Sequence, residues 1–476
     1  MSKANIYIDL MAAHSCVTGS NLLSVVHIPN EELRRYSIDC GIFQERVNEQ
    51  YNGSLIFDPK ELDGAFITHV HADHIGRLPL MTKGGYSGDF VCSEVSEALL
   101  PIALRDACHV QKTRAKRNNK PPMYELSDVT SVLQQTKGVS LNQWYVFDDY
   151  CRFMLIGNGH LVGACMVLIQ FLDGYGGKLN LLFTGDYAPK NIFFDVPCIP
   201  QEVLSMPLNI ICESTYGDVD TTDEEQSKKV FCKNVSTTAQ NGGSILIPVF
   251  SLGRAQEILY RLKRMQNSGK INKSIPIFLD GKLAIEYTKL YQSGALNLKP
   301  EMMDFLPDNL QLITLHETRE ALVASSKQKI VVTTSGMGSY GPAQAWIPRY
   351  LWDPKALIQF TGYCAEGTYG RKLKDTTPNE FVFGGGSGGI LGMKKAQVEF
   401  TCEFSGHAKA DELISMLKKF KNIKSVVVNH GDTSVKKIFA ERIYEELGIK
   451  RVGVISRDTG FRIDEYGIEK AIQISN

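Results

Sequence analysis

Four metal-binding side chains stand together directly after an apolar run in the first part of the chain. The run GAFIT is typical of a buried strand and leads into Thr68-His69-Val70-His71-Ala72-Asp73-His74. His69 and His71 are two residues apart, so on extended backbone their side chains point the same way. Asp73 and His74 follow from a turn into a helix and can face another direction. This density of ligands predicts two adjacent metal ions at the end of a strand.

Two metal ions need further ligands, and other strand-like runs offer them where they end. His160 closes FMLIGNGH, Asp186 closes LLFTGD and His430 closes SVVVNH. Asp186 could bridge both ions through its two carboxylate oxygens. Asp39, in SIDCG, either orients a ligand imidazole from behind or simply forms a turn.

The candidate ligands offer nitrogen and oxygen atoms and no thiolate. Zn²⁺ fits this set, and Mn²⁺ and Fe²⁺ accept the same ligands. We therefore expect two zinc ions, with manganese as an alternative. Two ions about 3.5–4 Å apart can hold a hydroxide between them and bind a negatively charged oxygen of the substrate. Such a site can catalyse the hydrolysis of substrates such as phosphodiesters.

Short β-rich runs alternate with helical stretches along the chain, a pattern that predicts layered α/β structure. After the run SILIPVF, the segment RAQEILYRLKRM places Ile258, Leu259 and Leu262 on one face at helical spacing. The strand-like runs are GAFITHV, FMLIGNG, LNLLFTGD, LNIICES, SILIPVF, KIVVTTS, ALIQFTG and SVVVNHG.

Charge and cysteine content exclude several classes of protein. The 52 Lys+Arg residues balance 52 Asp+Glu residues, which excludes a protein that is basic all over but not a local basic groove. No stretch approaches about 18 uninterrupted apolar residues, so we expect no membrane helix. The 11 cysteines are scattered, with no CxxC, as is typical of reduced thiols in a cytoplasmic protein.

One segment, KTRAKRNNK from Lys112 to Lys120, is strongly basic. It is either a solvated helix end or a patch that contacts phosphates. In the second case Lys112 and Arg114 are candidate contacts to RNA.

These motifs resemble the metallo-β-lactamase superfamily and, within it, the stand-alone bacterial and archaeal members of the β-CASP nuclease family. HVHADHIG, the later His160 and Asp186, and the strand-ending Asp39 carry the first resemblance. The strings similar to the β-CASP nucleases are CESTYG from Cys212, PVF from Pro248 with GRAQE from Gly253, TSGM from Thr334, Gly362-Tyr363 with Glu366-Gly367-Thr368, and FSGHA from Phe404. Together they cover nearly the whole chain.

The resemblance implies an α/β architecture in which a β-CASP α/β domain is inserted into a metallo-β-lactamase αββα sandwich. The first part of the sandwich would span residues 1–215, the inserted domain 216–392 and the C-terminal part of the sandwich 393–476. The glycine-rich stretch from Gly384 to Gly392 would then be a connector near the return crossing.

The resemblance also implies which side chains bind each metal ion. One carboxylate, Asp186, would bridge the two ions. The remaining ligands would be His69, His71 and His160 for the first ion, and Asp73, His74 and His430 for the second.

Two further side chains would take part in the chemistry beside Asp73 and Asp186. Glu213 and His407 match the first and second β-CASP motifs. His407 would sit near the scissile phosphate and protonate the leaving oxygen, supported by the Glu213 carboxylate. Glu213 could instead be a strand-end carboxylate that holds the domain junction.

Three residues of the inserted domain are candidate phosphate or RNA contacts. Arg254 follows a glycine at the start of a helix, where it could hold a phosphate or pair with a carboxylate between domains. Ser335 and Gly336 are expected to shape a tight loop and not to react.

The resemblance implies a metal-dependent ribonuclease that cleaves single-stranded RNA with a hydroxide held by two metal ions. A His at the third β-CASP motif, here His430, accompanies RNA-processing members, whereas Val accompanies DNA-repair members. Endonuclease action is favoured, and 5′-to-3′ exonuclease action is the alternative. The rival hypotheses are a DNA nuclease of the same fold, a catalytically silent RNA-binding scaffold and a small-molecule hydrolase. A homodimer is a further expectation.

Overall fold

The computed structural model describes residues 6–45, 47–174, 176–221, 224–362, 364, 367–384, 389–401 and 406–474, with backbone alone at 224–227. The chain forms two compact units, and the second interrupts the first. Unit 1 contains Met1–Asn191, Asp195–Thr221 and His407–Asn476, and unit 2 contains Ile192–Phe194 and Thr222–Gly406.

The strands, in chain order, are β1 (Tyr7–Ala12), β2 (Leu22–His27), β3 (Arg34–Ile38), β4 (Gly64–Phe66), β5 (Phe90–Ser93), β6 (Thr136–Val139), β7 (Trp144–Asp148), β8 (Cys151–Gly157), β9 (Cys165–Leu172), β10 (Lys178–Phe183), β11 (Pro207–Cys212), β12 (Ile245–Pro248), β13 (Ile277–Asp280), β14 (Leu310–Ile313), β15 (Ile330–Thr333), β16 (Leu357–Phe360), β17 (Phe381–Phe383), β18 (Ile390–Met393), β19 (Gln397–Phe400), β20 (Asn422–Val428), β21 (Val452–Val454), β22 (Thr459–Asp464) and β23 (Gly467–Gln473).

The helices, in chain order, are α1 (Ala72–Ile75), α2 (Leu78–Lys83), α3 (Glu94–Arg117), α4 (Leu126–Gln135), α5 (Gln201–Ser205), α6 (Glu224–Gln240), α7 (Arg254–Asn267), α8 (Lys282–Gln292), α9 (His316–Ala324), α10 (Ala343–Leu351), α11 (Tyr369–Asp375), α12 (Ala410–Leu417) and α13 (Thr433–Leu447). Short 3-10 turns cover Glu49–Gly53, Pro59–Glu61 and Pro300–Met302.

Unit 1 is a sandwich of two mixed sheets. The first sheet has the strand order β23-β22-β1-β2-β3-β4-β5-β6, and the second has the order β21-β20-β11-β10-β9-β8-β7. A shared apolar core lies between them, with Phe66 and Leu10 from the first sheet against Phe171 and Leu181 from the second. Helices α12 and α13 cover the outer face of the second sheet, and α3 packs on β5 and β6 of the first. The predicted αββα sandwich is confirmed.

Unit 2 is built on a six-stranded sheet with the order β14-β13-β15-β12-β16-β19. Every pair of neighbours in it is parallel. Strands β12, β13, β15 and β16 are buried at every residue, which is why they appear in the sequence as continuous apolar runs. Helix α7 follows β12 as predicted, and its Ile258, Leu259 and Leu262 are fully buried. A separate hairpin pairs β17 with β18.

The second unit ends later in the chain than the predicted inserted domain. The prediction placed the insertion at 216–392, whereas the two units divide at residues 221 and 222 and again at 406 and 407. The chain goes back to unit 1 later than predicted because β19, which follows residue 392, pairs with β16 and completes the sheet of unit 2. Part of the glycine-rich stretch predicted as a connector is the strand β18, and residues 385–388 lie outside the described residues.

In the described part of the chain, no helix combines the length and the apolar character needed to cross a membrane. Ten of the eleven cysteines fall within the described residues, and those ten are free thiols.

Candidate metal centre

The candidate ligands of unit 1 come together because several strands end at the same edge of the sandwich. In the second sheet β10, β11 and β20 are parallel neighbours, and β8 runs in the same direction because it is separated from β10 by the antiparallel β9. His160, Asp186, Glu213 and His430 follow the carboxyl ends of these four strands. In the first sheet Asp39 follows β3, which is parallel to β4. The Asp39 N–H donates to the Phe66 carbonyl at the end of β4.

The first ligand cluster consists of His69, His71 and His160 around one oxygen of Asp186. His71 Nδ1 lies 3.2 Å from His69 Nε2 and 3.1 Å from His160 Nε2. Asp186 Oδ2 lies 3.5 Å from His69 Nε2 and 3.6 Å from His160 Nε2. Four potential ligand atoms therefore surround one point.

The second ligand cluster lies on the other oxygen of the same carboxylate. His74 Nε2 and His430 Nε2 are 3.2 Å apart. Asp186 Oδ1 is 3.3 Å from the first of these nitrogens and 3.4 Å from the second. Asp73 lies beside the two imidazoles, and the ligand atoms of Asp73, His74 and His430 are all within 4.8 Å of one another.

These distances fit metal ions of the zinc type. A tetrahedral site with Zn–N bonds of about 2.0–2.1 Å places neighbouring ligand atoms about 3.3–3.4 Å apart, close to the separations in both clusters. Asp186 is 2 % exposed, yet its Oδ1 accepts no hydrogen bond from any described residue. A buried carboxylate oxygen that faces imidazole nitrogens without a hydrogen bond suits a cation placed between them.

Asp39 and Thr68 fix the ring orientations of two candidate ligands. Asp39 Oδ2 accepts from His74 Nδ1 at 2.7 Å and from the Thr68 hydroxyl at 2.8 Å. Because Thr68 donates to Asp39, its oxygen is free to accept from His69 Nδ1, which lies 3.1 Å away. Both arrangements leave the Nε2 lone pairs of His69 and His74 facing the clusters. Asp39 itself adopts a left-handed backbone, with φ 58°.

Glu213 and Thr215 repeat this arrangement for His430. The Thr215 hydroxyl donates to Glu213 Oε2 at 2.7 Å, so its oxygen can accept from His430 Nδ1 at 3.1 Å. His430 Nε2 is then left for the second cluster. The backbone of His430 is left-handed, with φ 48°, and its carbonyl accepts from the Ser214 N–H at 3.1 Å.

We expect a Thr215→Val substitution to weaken binding of one of the two ions by about 10–100-fold, the usual cost of losing a partner behind a metal ligand. Valine keeps the shape but leaves the buried His430 Nδ1 proton without its acceptor. Metal content after dialysis against graded chelator concentrations measures the change. Thr215→Ser keeps the hydroxyl and is the matched control, so equal metal retention in the valine and serine variants would contradict this role.

His407 lies between the two carboxylates of the centre. Its Nδ1 is 3.0 Å from Glu213 Oε2, and its Nε2 is 3.8 Å from Asp186 Oδ2. The neighbouring Ala408 N–H donates to the Tyr187 carbonyl, which fixes the loop beside Asp186. The imidazole therefore points Nε2 towards the centre, and its side chain keeps 19 % of its surface exposed.

Burial and charge set opposite protonation states within the histidine set. Burial lowers the pKa of His430 to about 3 and that of His69 well below its usual value, so both imidazoles are neutral. Burial also acts to lower the pKa of His74, but the Asp186 and Asp39 carboxylates outweigh it and raise that pKa well above its usual value. Burial also acts to lower the pKa of His407, but the Glu213 and Asp186 carboxylates outweigh it and raise that pKa to about 9. His407 is thus prepared as a cationic donor.

Three of the predicted contact residues belong to unit 2. Arg254 is the first residue of α7, and its guanidinium pairs with the Glu257 carboxylate of the same helix. A contact of Arg254 with a phosphate, or with a carboxylate between domains, stays a prediction. Ser335 follows β15 in a loop whose Gly338 N–H donates to the Ser335 carbonyl at 3.0 Å. A Cβ on Gly336 would lie 3.0 Å from Phe250, so a larger residue there would fit only if Phe250 shifted by a few tenths of an ångström.

The basic segment from Lys112 is mostly the end of helix α3. Lys112 forms an exposed ion pair of 2.6 Å with Glu125, and the Arg114 guanidinium lies 3.7 Å from the Glu49 carboxylate. A contact with phosphates stays a prediction for both residues.

Sequence reasoning missed Thr68 and Thr215. Each stands inside a motif, directly before the first histidine of HVHADH and two residues after Glu213. The position of a hydroxyl side chain next to the candidate ligands could have indicated that it orients their imidazole rings. Tyr363, Glu366, Phe404 and Ser405, from the strings similar to the β-CASP nucleases, lie outside the described residues.

Three sequence profiles match the chain in the order that the fold requires. They are described as the metallo-beta-lactamase superfamily, matching residues 38–221, the Beta-Casp domain, matching 255–373, and the Zn-dependent metallo-hydrolase RNA specificity domain, matching 393–452. The chain belongs to the β-CASP family of the metallo-β-lactamase superfamily. The family's hydrolytic, zinc-dependent nuclease chemistry agrees with the two ligand clusters that could hold two metal ions.

Relatives of this β-CASP chain come from bacteria and archaea. It is 29 % identical to ribonuclease TTHA0252 of Thermus thermophilus, over 84 % of this chain and 88 % of the relative. It is 27 % identical to an RNase J-like protein of Methanocaldococcus jannaschii, over 87 % and 91 %. It is 26 % identical to the transcription termination factor FttA of the same archaeon, over 88 % of this chain and 68 % of that protein.

Proposed function

We propose that this chain is a metal-dependent ribonuclease that hydrolyses phosphodiester bonds in single-stranded RNA, with internal cleavage favoured. The observation that carries the proposal is the position of Asp186. One of its oxygens faces each nitrogen cluster, and His407 approaches the same carboxylate from the side of Glu213. A site for two cations and a proton donor thus share one small volume.

The proposed ligand sets follow the two clusters. Asp186 would be shared by the two ions, and the other ligands would be His69, His71 and His160 for one ion and Asp73, His74 and His430 for the other. Asp39, Thr68 and Thr215 orient the imidazoles from behind. When bound, the ions supply an activated water and positive charge for the phosphate oxygens.

The chain itself supplies the proton for the leaving oxygen. Glu213 accepts from His407 Nδ1, which stabilises the charged imidazolium and directs its Nε2 proton into the centre. Transfer of that proton to the departing 3′-oxygen or 5′-oxygen avoids expulsion of an alkoxide. In this proposal Glu213 therefore stabilises the charged form of His407, and it is not only a carboxylate at the end of a strand.

RNA is supported as the substrate by the match to an RNA specificity domain over residues 393–452 and by relatives named as ribonucleases. A DNA nuclease of the same fold is the main rival, and His430 is the residue that argues against it. The Beta-Casp match argues against a small-molecule hydrolase. The two groups of candidate metal ligands argue against a catalytically silent RNA-binding scaffold.

We expect the zinc-loaded protein to cleave single-stranded RNA on the order of tenfold or more faster than DNA of the same sequence. This ratio corresponds to the free energy of about one hydrogen bond to a 2′-hydroxyl. The assay uses 5′-labelled strands, so internal fragments indicate an endonuclease and released mononucleotides a 5′ exonuclease. His71→Ala should lower the rate of RNA cleavage by on the order of 10³-fold, because it removes a metal ligand. This effect is larger than that of removing a residue that only hydrogen-bonds to a ligand.

The matched control is His316→Ala, because that imidazole is 68 % exposed on helix α9 and should leave cleavage unchanged. Equal or faster cleavage of DNA would overturn the choice of RNA. Absence of cleavage on either polymer would favour the scaffold. A cytoplasmic location and a homodimer stay predictions from the sequence.

A further inference from the structure

Unit 2 exposes three large aromatic side chains beside one another. Trp352 is 44 % exposed, Phe381 45 % and Phe383 57 %. The Trp352 and Phe381 rings lie 6.2 Å apart between centroids, at an angle of 70°. A cluster of exposed aromatic rings on a soluble fold marks an interaction surface more often than a scatter of single apolar residues does. We call these three residues the aromatic row.

The hairpin of β17 and β18 holds the row in place. Phe381 and Phe383 occupy alternate positions of β17, and Val382 between them is 1 % exposed, so both rings stand on the solvent face. Strand geometry separates them by roughly 7 Å. Phe383 pairs across the hairpin with Ile390, which is 61 % exposed and extends the apolar face.

A lysine stands at each end of the aromatic row. Lys395 Nζ lies 5.3 Å from the centroid of the Trp352 ring, and Lys372 Nζ donates to the Phe383 carbonyl at 3.2 Å. Among the described residues neither ammonium group forms an ion pair with a carboxylate.

Three carboxylates that lie close to the aromatic row in the sequence accept from other groups. Asp375 pairs with Arg371 at 2.9 Å, Asp353 accepts from the Lys355 N–H at 2.9 Å, and Glu380 accepts from the Thr377 N–H at 3.3 Å. The surface therefore offers aromatic faces and two ammonium groups that have no carboxylate partner and can meet an anion.

We propose that the aromatic row is a binding surface for single-stranded RNA, separate from the residues of the metal centre. RNA as the polymer rests on the proposed function. Bases stack on aromatic faces without regard to sequence, while the flanking lysines meet the phosphates. A protein partner fits less well, because lysine is depleted at the cores of protein interfaces. The row acts by holding RNA, and the chemistry stays at the metal centre.

The test compares wild type with a Phe381→Ala/Phe383→Ala double variant. Binding of a fluorescein-labelled, mixed-sequence single-stranded RNA is followed by anisotropy in EDTA, so that no cleavage is needed. We expect Kd to rise on the order of tenfold per lost ring. With zinc, KM for RNA should rise while kcat, and the rate on bis(p-nitrophenyl) phosphate, stay unchanged.

Two controls separate stacking from general effects of the substitutions. Phe381→Tyr/Phe383→Tyr keeps the ring faces and should bind RNA like wild type. Val146→Ala removes an apolar side chain that is 79 % exposed in unit 1, and it should also bind like wild type. Lys372→Ala and Lys395→Ala should each reduce the salt dependence of log Kd by about 0.7, the value for one phosphate contact on a single strand.

An unchanged Kd in the double alanine variant would overturn the proposal. A change from dimer to monomer by light scattering, with Kd unchanged, would also overturn it and assign the row to contact between two copies. Failure of the two proposals is distinguishable. If the wild-type protein binds RNA through the aromatic row but cleaves no RNA, only the ribonuclease proposal is wrong. If the wild type and the double alanine variant both cleave RNA with the same KM, only the proposal for the aromatic row is wrong.

Discussion

An Asp186→Asn variant is expected to lose both metal ions and, with them, on the order of 10³-fold or more of the cleavage rate. Asn keeps one oxygen but replaces the other by an amide that cannot ligate a cation, and it removes the negative charge. That charge counts because the carboxylate is 2 % exposed and faces four imidazole nitrogens at 3.3–3.6 Å. Metal per chain, measured by mass spectrometry after gel filtration, gives the first readout.

The second readout for Asp186→Asn is the cleavage rate at saturating zinc, since excess metal rescues a variant that has only lost affinity. Asp308→Asn is the matched control, because that carboxylate is 71 % exposed in unit 2. Thermal unfolding shows whether the variant is folded. A folded Asp186→Asn protein that keeps two ions per chain would show that the bridging assignment is incorrect.

A His407→Ala variant is expected to keep both metal ions and to lose about 10²–10⁴-fold of its RNA cleavage rate, the usual range for removal of a general acid. The two effects separate because His407 Nε2 lies 3.8 Å from Asp186 Oδ2 and its other nitrogen is bound to Glu213. Metal content and kcat on RNA are measured on the same protein sample.

The leaving group provides a sharper test of His407. p-Nitrophenolate departs without a proton, so the loss on bis(p-nitrophenyl) phosphate should be within about tenfold of wild type. Glu213→Gln removes the carboxylate that supports the imidazolium and should reduce RNA cleavage in the same direction. An equal loss on both substrates would show that His407 has another role, and loss of metal in the variant would make it a ligand.

Much of this centre could be predicted from local sequence. His69 and His71 alternate after a strand, and the two positions project to the same side of extended backbone in any fold. Each of the eight apolar runs contains a strand, because a strand that is buried on both faces requires continuous apolar sequence. Polar residues directly after such runs, Asp186 among them, are therefore placed at strand ends before any tertiary structure is known.

The sequence could not show which strand ends meet. His74 Nε2 lies 3.2 Å from His430 Nε2 although 356 residues separate them, and only the order of strands in the two sheets brings them together. The same holds for the Glu213 contact with His407, 194 residues apart. Pairings at such separation depend on topology, which short-range spacing does not encode.

Motifs in this chain therefore determined the kinds of ligand and the fold family, because ligand chemistry and strand or helix periodicity are local properties. The tertiary structure decided the hydroxyl contacts of Thr68 and Thr215, the pairing of Arg254 with Glu257, and the return of the chain after β19. It also decided that Phe381 and Phe383 face solvent. Each of these depends on which surfaces meet when the sheets pack, and burial is a property of the whole fold.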